Sequence, residues 1–254
     1  MVGMKQFISG LLCLFFLIGT GIIVYGIRDS KESESYTHDA LVNSDHEQYA
    51  VIKIKDAVSI NVPSINQHPE LDRGCEVTSL AMLLQSAGVQ VDKLTLAKEI
   101  KKNPTPRTIK NGKIYYGDPN EGFVGNIYTY HKPGYGVYNK PIYELGNKFL
   151  PGKLINLTGH SFEDLKIYLS DDRPIWVIIN TEYKKLPSAY FQSWYTKNGK
   201  IHITYKEHSV LITGYDKKYI YFNDPLTGQK NKAPANSFME AWVQMGSQAI
   251  TYEK

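Results

Sequence analysis

Cys75 is the residue of this chain best placed to act as a nucleophile. It lies in QHPELDRGCEVTSLAMLLQSAG, which runs from Gln67 to Gly88. From Cys75 onward Val77, Leu80, Ala81, Leu84 and Ala87 recur at steps of three and four, the spacing of one helix face. Gly88 supplies the stop, because glycine accepts the left-handed backbone that closes a helix. The thiol therefore falls in the first turn, where free backbone N–H groups and the helix dipole favour negative charge. Such a position is expected to lower a thiol pKa and raise the thiolate fraction near neutral pH. The chain holds two cysteines, and Cys13 belongs to a long apolar run near the N-terminus. Cys75 is thus left without a partner for an internal disulfide, which suggests a reactive thiol or an intermolecular bridge. The plain alternative is a buried cysteine acting as a small apolar side chain.

A thiol nucleophile needs a base. His208 opens HSVLITGY, in which His208, Val210 and Ile212 share one face of a strand. It follows Cys75 by 133 positions, and papain-like enzymes separate the two by roughly 130–150. Asp224 ends the next strand, 16 positions on, in NDPLTG. If the two strands pair as a hairpin, their outer ends lie side by side. Asp224 could then hold the imidazole in the tautomer that accepts a proton from the thiol. Singly, His208 reads as a satisfied polar residue at a strand start and Asp224 as a turn former before Pro225; the three together favour a catalytic set. His202 and His208 are six apart, without carboxylate spacing that matches a ligand set, so no metal or cofactor is expected.

Positioning these residues falls to the stretch from Tyr49 to Lys254, long enough for one domain with a substantial core. Tyr49–Lys55 and Val58–Val62 alternate like strands, and Asp92 looks like the N-cap of a helix over Lys93–Lys102. Residues 112–152, crowded with Gly, Pro, Tyr and Asn, read as a loop-rich excursion that walls a cleft. Ser161 and Asp164 form a capping box ahead of a helix over Phe162–Leu169. PIWVIIN, Pro174–Asn180, has the continuous apolar run of a central strand. Strands over Glu207–Tyr215 and Tyr219–Asn223 flank the turn Asp216-Lys217-Lys218, and a last helix covers Phe238–Val243. Helices first and an antiparallel sheet after them make an α+β domain. Ahead of it, Phe7 to Ile27 is 21 residues without a charge, the length of a bilayer span, and reads as an uncleaved signal anchor. Residues 28–48, rich in Ser, Glu, Asp and His, read as a polar stalk that leaves the domain outside the cytoplasm. The net charge of +4, without a Lys/Arg block interleaved with aromatics, gives no support to nucleic-acid binding.

Gln67, the GCEVTSLAMLL helix, HSVLITGY and NDPLTG, in that order, resemble stand-alone relatives of cysteine-peptidase family 39, from about Ile60 to the C-terminus. The resemblance implies a papain-like fold, a helical part carrying Cys75 packed on an antiparallel sheet carrying His208 and Asp224. It further implies a peptide or protein substrate, Cys75 as nucleophile, His208 as base and then acid, and Asp224 as orienting residue. By the same resemblance Gln67 and the Cys75 backbone N–H supply the oxyanion hole. The best-known members carry Asp or a similar residue before the cysteine and are fused to an ABC transporter; this chain has Gly74 and no ATPase motif. Two other classes share these features: a papain-like surface module that binds without catalysis, and an amidase or acyl transferase acting on cell-wall peptides.

Overall fold

The computed structural model describes residues 53–254. The apolar run at 7–27 and the stalk at 28–48 lie outside the described residues. In chain order the elements are β1 (Val58–Ser59), α1 (Cys75–Ser86), α2 (Lys93–Glu99), β2 (Lys102–Asn103), β3 (Thr108–Lys110), β4 (Lys113–Tyr115) and β5 (Phe123–Val124). There follow α3 (Asn139–Phe149), β6 (Leu154–Asn156), α4 (Phe162–Ser170), β7 (Ile175–Asn180), β8 (Gln192–Thr196) and β9 (Gly199–Ile203). The chain closes with β10 (Glu207–Tyr215), β11 (Tyr219–Asp224), β12 (Gln229–Pro234), α5 (Ala235–Gln244) and β13 (Ala249–Tyr252).

The principal sheet runs β12-β11-β10-β7-β13-β6 and is antiparallel throughout. β7 holds its centre because IWVIIN is buried at all six positions, and period-two alternation divides those side chains between two cores. Trp176 and Ile178 pack with Leu80, Leu83 and Leu84 of α1 and Ile142 and Leu145 of α3. Ile175, Val177 and Ile179 meet Leu165 and Leu169 of α4 and Phe238 and Trp242 of α5. Full burial of each such side chain stabilises the fold by roughly 1.5–3 kcal/mol. The sheet is thus covered by helices on both faces, where the sequence suggested one helical part against one sheet.

α1 begins at Cys75 and ends before Gly88, whose φ of +85° provides the expected left-handed stop. Asp92 caps α2 by accepting from the Thr95 N–H at 2.7 Å, but the helix ends at Glu99, not Lys102. Lys101 and Lys102 leave it to pair with β5, where the Phe123 N–H donates to Lys101 O at 2.7 Å. Three expectations need correction. Lys53–Lys55 is not a strand, and the strand expected over Val58–Val62 shrinks to Val58–Ser59, paired with Tyr215 and Gly214 of β10. A side chain at Gly214 would collide with Val58 O, so glycine is what admits β1 there. The stretch 112–152 is more ordered than a loop: it contains α3, β5 and β4, and β4 joins β3, β8 and β9 in a second sheet.

Candidate active site

The sequence turns back between β10 and β11 at Asp216, whose carboxylate accepts from the Lys218 N–H at 2.6 Å and the Tyr219 N–H at 2.7 Å. The hairpin so closed pairs Leu211 with Asn223 and brings its outer ends together. There His208 Nε2 lies 2.9 Å from Asp224 Oδ1, both side chains almost wholly buried. Asp224 Oδ1 also accepts from the Leu226 N–H at 3.0 Å, and Oδ2 from Tyr183 OH at 3.0 Å and Thr227 Oγ1 at 3.2 Å. Burial alone would raise this carboxyl's pKa, but the hydrogen bond and charge of His208, aided by the other donors, hold it below the usual carboxylate range. With Nε2 engaged by Asp224, Nδ1 is the ring nitrogen left for another partner.

Cys75 and His208 line one cavity of about 270 Å³, together with Gln67, Tyr130, Tyr205 and Glu207. α1 carries the thiol there, held against the sheet by Trp176, whose indole N–H donates to Glu76 O at 2.9 Å. The first hydrogen bond of the helix, Thr78 N–H to Gly74 O at 2.9 Å, leaves the N–H groups of Cys75, Glu76 and Val77 without an intrahelical acceptor. The thiol itself donates to Glu76 Oε2 at 3.3 Å, not to His208. Burial, then the charges of Glu76 and Glu207, push the Cys75 pKa well above its ordinary value. That reverses the expectation drawn from the helix start. The dipole acts on the thiol, but desolvation and two adjacent carboxyls outweigh it.

Gln67 is buried beside the entry to α1, and its side-chain Nε2 donates to Leu71 O at 3.1 Å and Asp72 O at 3.0 Å. Its backbone N–H donates to Pro225 O at 2.8 Å, which ties the turn after Asp224 to the segment leading into Cys75. Both amide protons are occupied in this arrangement, and Oε1 is buried without a partner.

Sequence reasoning did not single out Glu76 and Glu207. Sγ of Cys75 and one carboxylate oxygen from each lie within 4.8 Å of one another. Glu76 Oε1 accepts from the Val137 N–H at 2.8 Å, and burial lifts the Glu76 pKa to about 7. Burial and the neighbouring Glu76 raise that of Glu207 well above the ordinary carboxyl range. Glu76 follows Cys75 in the chain and Glu207 precedes His208, and that adjacency to the candidate residues was the available signal.

Helices laid on an antiparallel sheet in this way make the mixed α/β architecture of a C39-like peptidase. A Bacillus anthracis crystal structure assigned as such a peptidase superposes with a TM-score of 0.73 at 50% identity, covering 79% of this chain and 98% of that one. The chain belongs to the Peptidase_C39 like family, whose model matches residues 59–250. YvpB of Bacillus subtilis (strain 168), an uncharacterized protein, is 40% identical over 257 residues, 96% of this chain and 98% of its own.

Proposed function

We propose that the chain is a cysteine peptidase whose domain is held outside the cytoplasm by the apolar run at 7–27. The single observation that carries this reading is that His208, paired with buried Asp224, lines the same cavity as Cys75. The Cys75 thiol gives its proton to His208 Nδ1 and its sulfur attacks the substrate carbonyl carbon. His208 returns that proton to the leaving amine as the C–N bond breaks. Water, deprotonated by His208, then hydrolyses the thioester, releasing the acid and restoring the thiol. The backbone N–H of Cys75, without an intrahelical acceptor, is the donor assigned to the developing oxyanion. Gln67 joins it only if its amide gives up one of its two carbonyl partners. Among the described residues no helix is long and apolar enough to cross a membrane, so the anchor rests on the sequence of residues 7–27 alone.

The decisive experiment pairs turnover of a peptide library with iodoacetamide labelling. Cys75→Ala is expected to lose both, and His208→Ala to lose turnover and slow labelling at neutral pH by at least about 10²-fold. Turnover that persists in Cys75→Ala ends the proposal. The raised thiol pKa favours a second reading, a surface module that binds without catalysis. Slow alkylation that His208→Ala leaves unchanged, with no turnover, would decide for it. Recovery of the full chain in the soluble fraction after cell breakage would remove the anchor.

A further inference from the structure

Among the described residues the Glu207 side chain has no hydrogen-bond or ion-pair partner. Its Oε1 is buried without a hydrogen-bond partner, and the residue lines the Cys75 cavity. An orphaned buried polar atom carries an uncompensated desolvation cost, larger when charged. The influences on this carboxyl are burial and Glu76 alone, with no cation among them. Arg73 lines the same cavity but is spent elsewhere: it donates to Asn126 O at 3.2 Å and Thr129 O at 2.5 Å, with its guanidinium 4.6 Å from the centre of the Tyr130 ring. Tyr130 and Tyr205 wall the cavity with exposed aromatic surface, and Tyr135 meets Tyr205 edge-on at 5.9 Å. An acid without a cation, beside tyrosine rings, suits an organic cation.

We propose that the cavity holds a subsite for a primary ammonium carried two or three bonds from the carbonyl that Cys75 attacks, with Glu207 as its carboxylate partner. This deepens the peptidase reading and rests on it for the identity of the attacked bond. The reach is set by distance. A carbonyl carbon poised for attack lies about 3–3.5 Å from sulfur, and the Glu207 oxygen lies within 4.8 Å of that sulfur. An ammonium hydrogen-bonded to the carboxylate therefore sits close to a carbonyl that approaches from the Glu207 side of the sulfur. The α-ammonium of an N-terminal residue fits, while the end of a lysine side chain overshoots. The bound cation also offsets the carboxyl charges that oppose thiolate formation, so a correctly charged substrate would activate its own nucleophile.

Methanethiosulfonates test this without needing turnover, since each forms a mixed disulfide with Cys75 and releases methanesulfinate. Rates with the 2-aminoethyl, 2-hydroxyethyl and 6-aminohexyl reagents are measured on the full chain in EDTA, with Cys75→Ala as the baseline for Cys13. The 2-aminoethyl to 2-hydroxyethyl ratio is expected to exceed that of free cysteine by about tenfold, the scale of one charge-assisted contact. The 6-aminohexyl reagent should show no such advantage. In Glu207→Gln the ratio should fall to the free-cysteine value while the 2-hydroxyethyl rate rises, which also reports a folded, reachable thiol. A wild-type ratio equal to that of free cysteine overturns the subsite, and that comparison stands even if the variant does not fold. A ratio unchanged in folded Glu207→Gln overturns it too. So does selectivity that is absent while zinc alone blocks labelling and EDTA restores it, which would make the cluster a metal site. Loss of peptide turnover with the ammonium ratio intact would count against the peptidase reading and not against the subsite.

Discussion

Asp224 accepts four hydrogen bonds, from His208, Leu226, Tyr183 and Thr227, and so keeps its ionised carboxylate in one orientation. Only an acceptor at Oδ1 fixes the proton on His208 Nε2 and leaves Nδ1 free for the thiol proton that the proposed mechanism sends there. Asp224→Asn is therefore expected to hold the wrong tautomer and to lower kcat by about 10²–10⁴ with the fold intact. A variant with wild-type turnover and unchanged circular dichroism would show that Asp224 only closes a turn. Tyr183 touches the other oxygen. Tyr183→Phe removes one hydrogen bond and should cost about 0.5–1.5 kcal/mol in urea unfolding, with kcat reduced far less. The two variants separate orientation of the base from simple satisfaction of a buried acid.

The helix that carries the thiol is positioned by its entry as much as by its apolar face. Gly74 precedes Cys75, and a Cβ there would come within 2.5 Å of Leu71 Cβ. The Leu71–Asp72 turn that Gln67 ties down would have to shift. Gly74→Ala is expected to destabilise by about 1–3 kcal/mol, lowering Tm by several degrees and slowing Cys75 labelling. An unchanged Tm would show that the turn yields freely. α1, β7 and the β10–β11 hairpin were legible in the sequence because each rests on local pattern: helical spacing closed by Gly88, a continuous apolar run, and alternation around an Asp turn. α3 was not. Its sequence, NKPIYELGNKF, places Pro141 in the first turn, where no intrahelical N–H is needed, and Gly146 where a Cβ would strike Leu154 Cδ1. Two residues that normally argue against a helix are there for good local reasons. β13 and β12 were missed because pairing across the sheet, with β7 and β11, defines them. Beyond the adjacency of Glu76 to Cys75 and of Glu207 to His208, the thiol environment was illegible for the same reason: Glu207 reaches Cys75 and Glu76 from a distant strand.

Burial of that carboxyl pair between α1 and β10 makes the stability of the whole molecule depend on pH. The groups that face it include Cys75, Lys102, Tyr135, Tyr138 and His208; the Lys102 charge opposes the rise of the Glu76 pKa, and burial outweighs it. Glu76 titrates at about 7 in the folded protein, above its ordinary value of 4.5. The native state therefore binds a proton that the unfolded chain has released. This contribution is complete below the ordinary value and is lost as pH rises through about 7. The opposite sign holds for Asp224, whose lowered pKa adds stability that disappears as pH falls below its ordinary 3.8. Lys102, lowered to about 8 by burial, acts only above that pH, where it offsets part of the loss. The unfolding free energy is thus expected to peak under mildly acidic conditions; Glu76 alone lowers it by up to roughly 3 kcal/mol between about pH 5 and pH 8, and Glu207, raised in the same direction, adds to the loss. In Glu76→Gln, which keeps an acceptor for the Val137 N–H, the drop should shrink by the Glu76 share, leaving that of Glu207, whose raised pKa has the same sign. Urea titrations of both proteins at the two pH values provide the measurement. Equal losses in wild type and variant would mean that Glu76 is already ionised across this range in the fold. The field that the ammonium subsite is proposed to relieve would then be stronger at neutral pH, and the labelling ratio should rise with it.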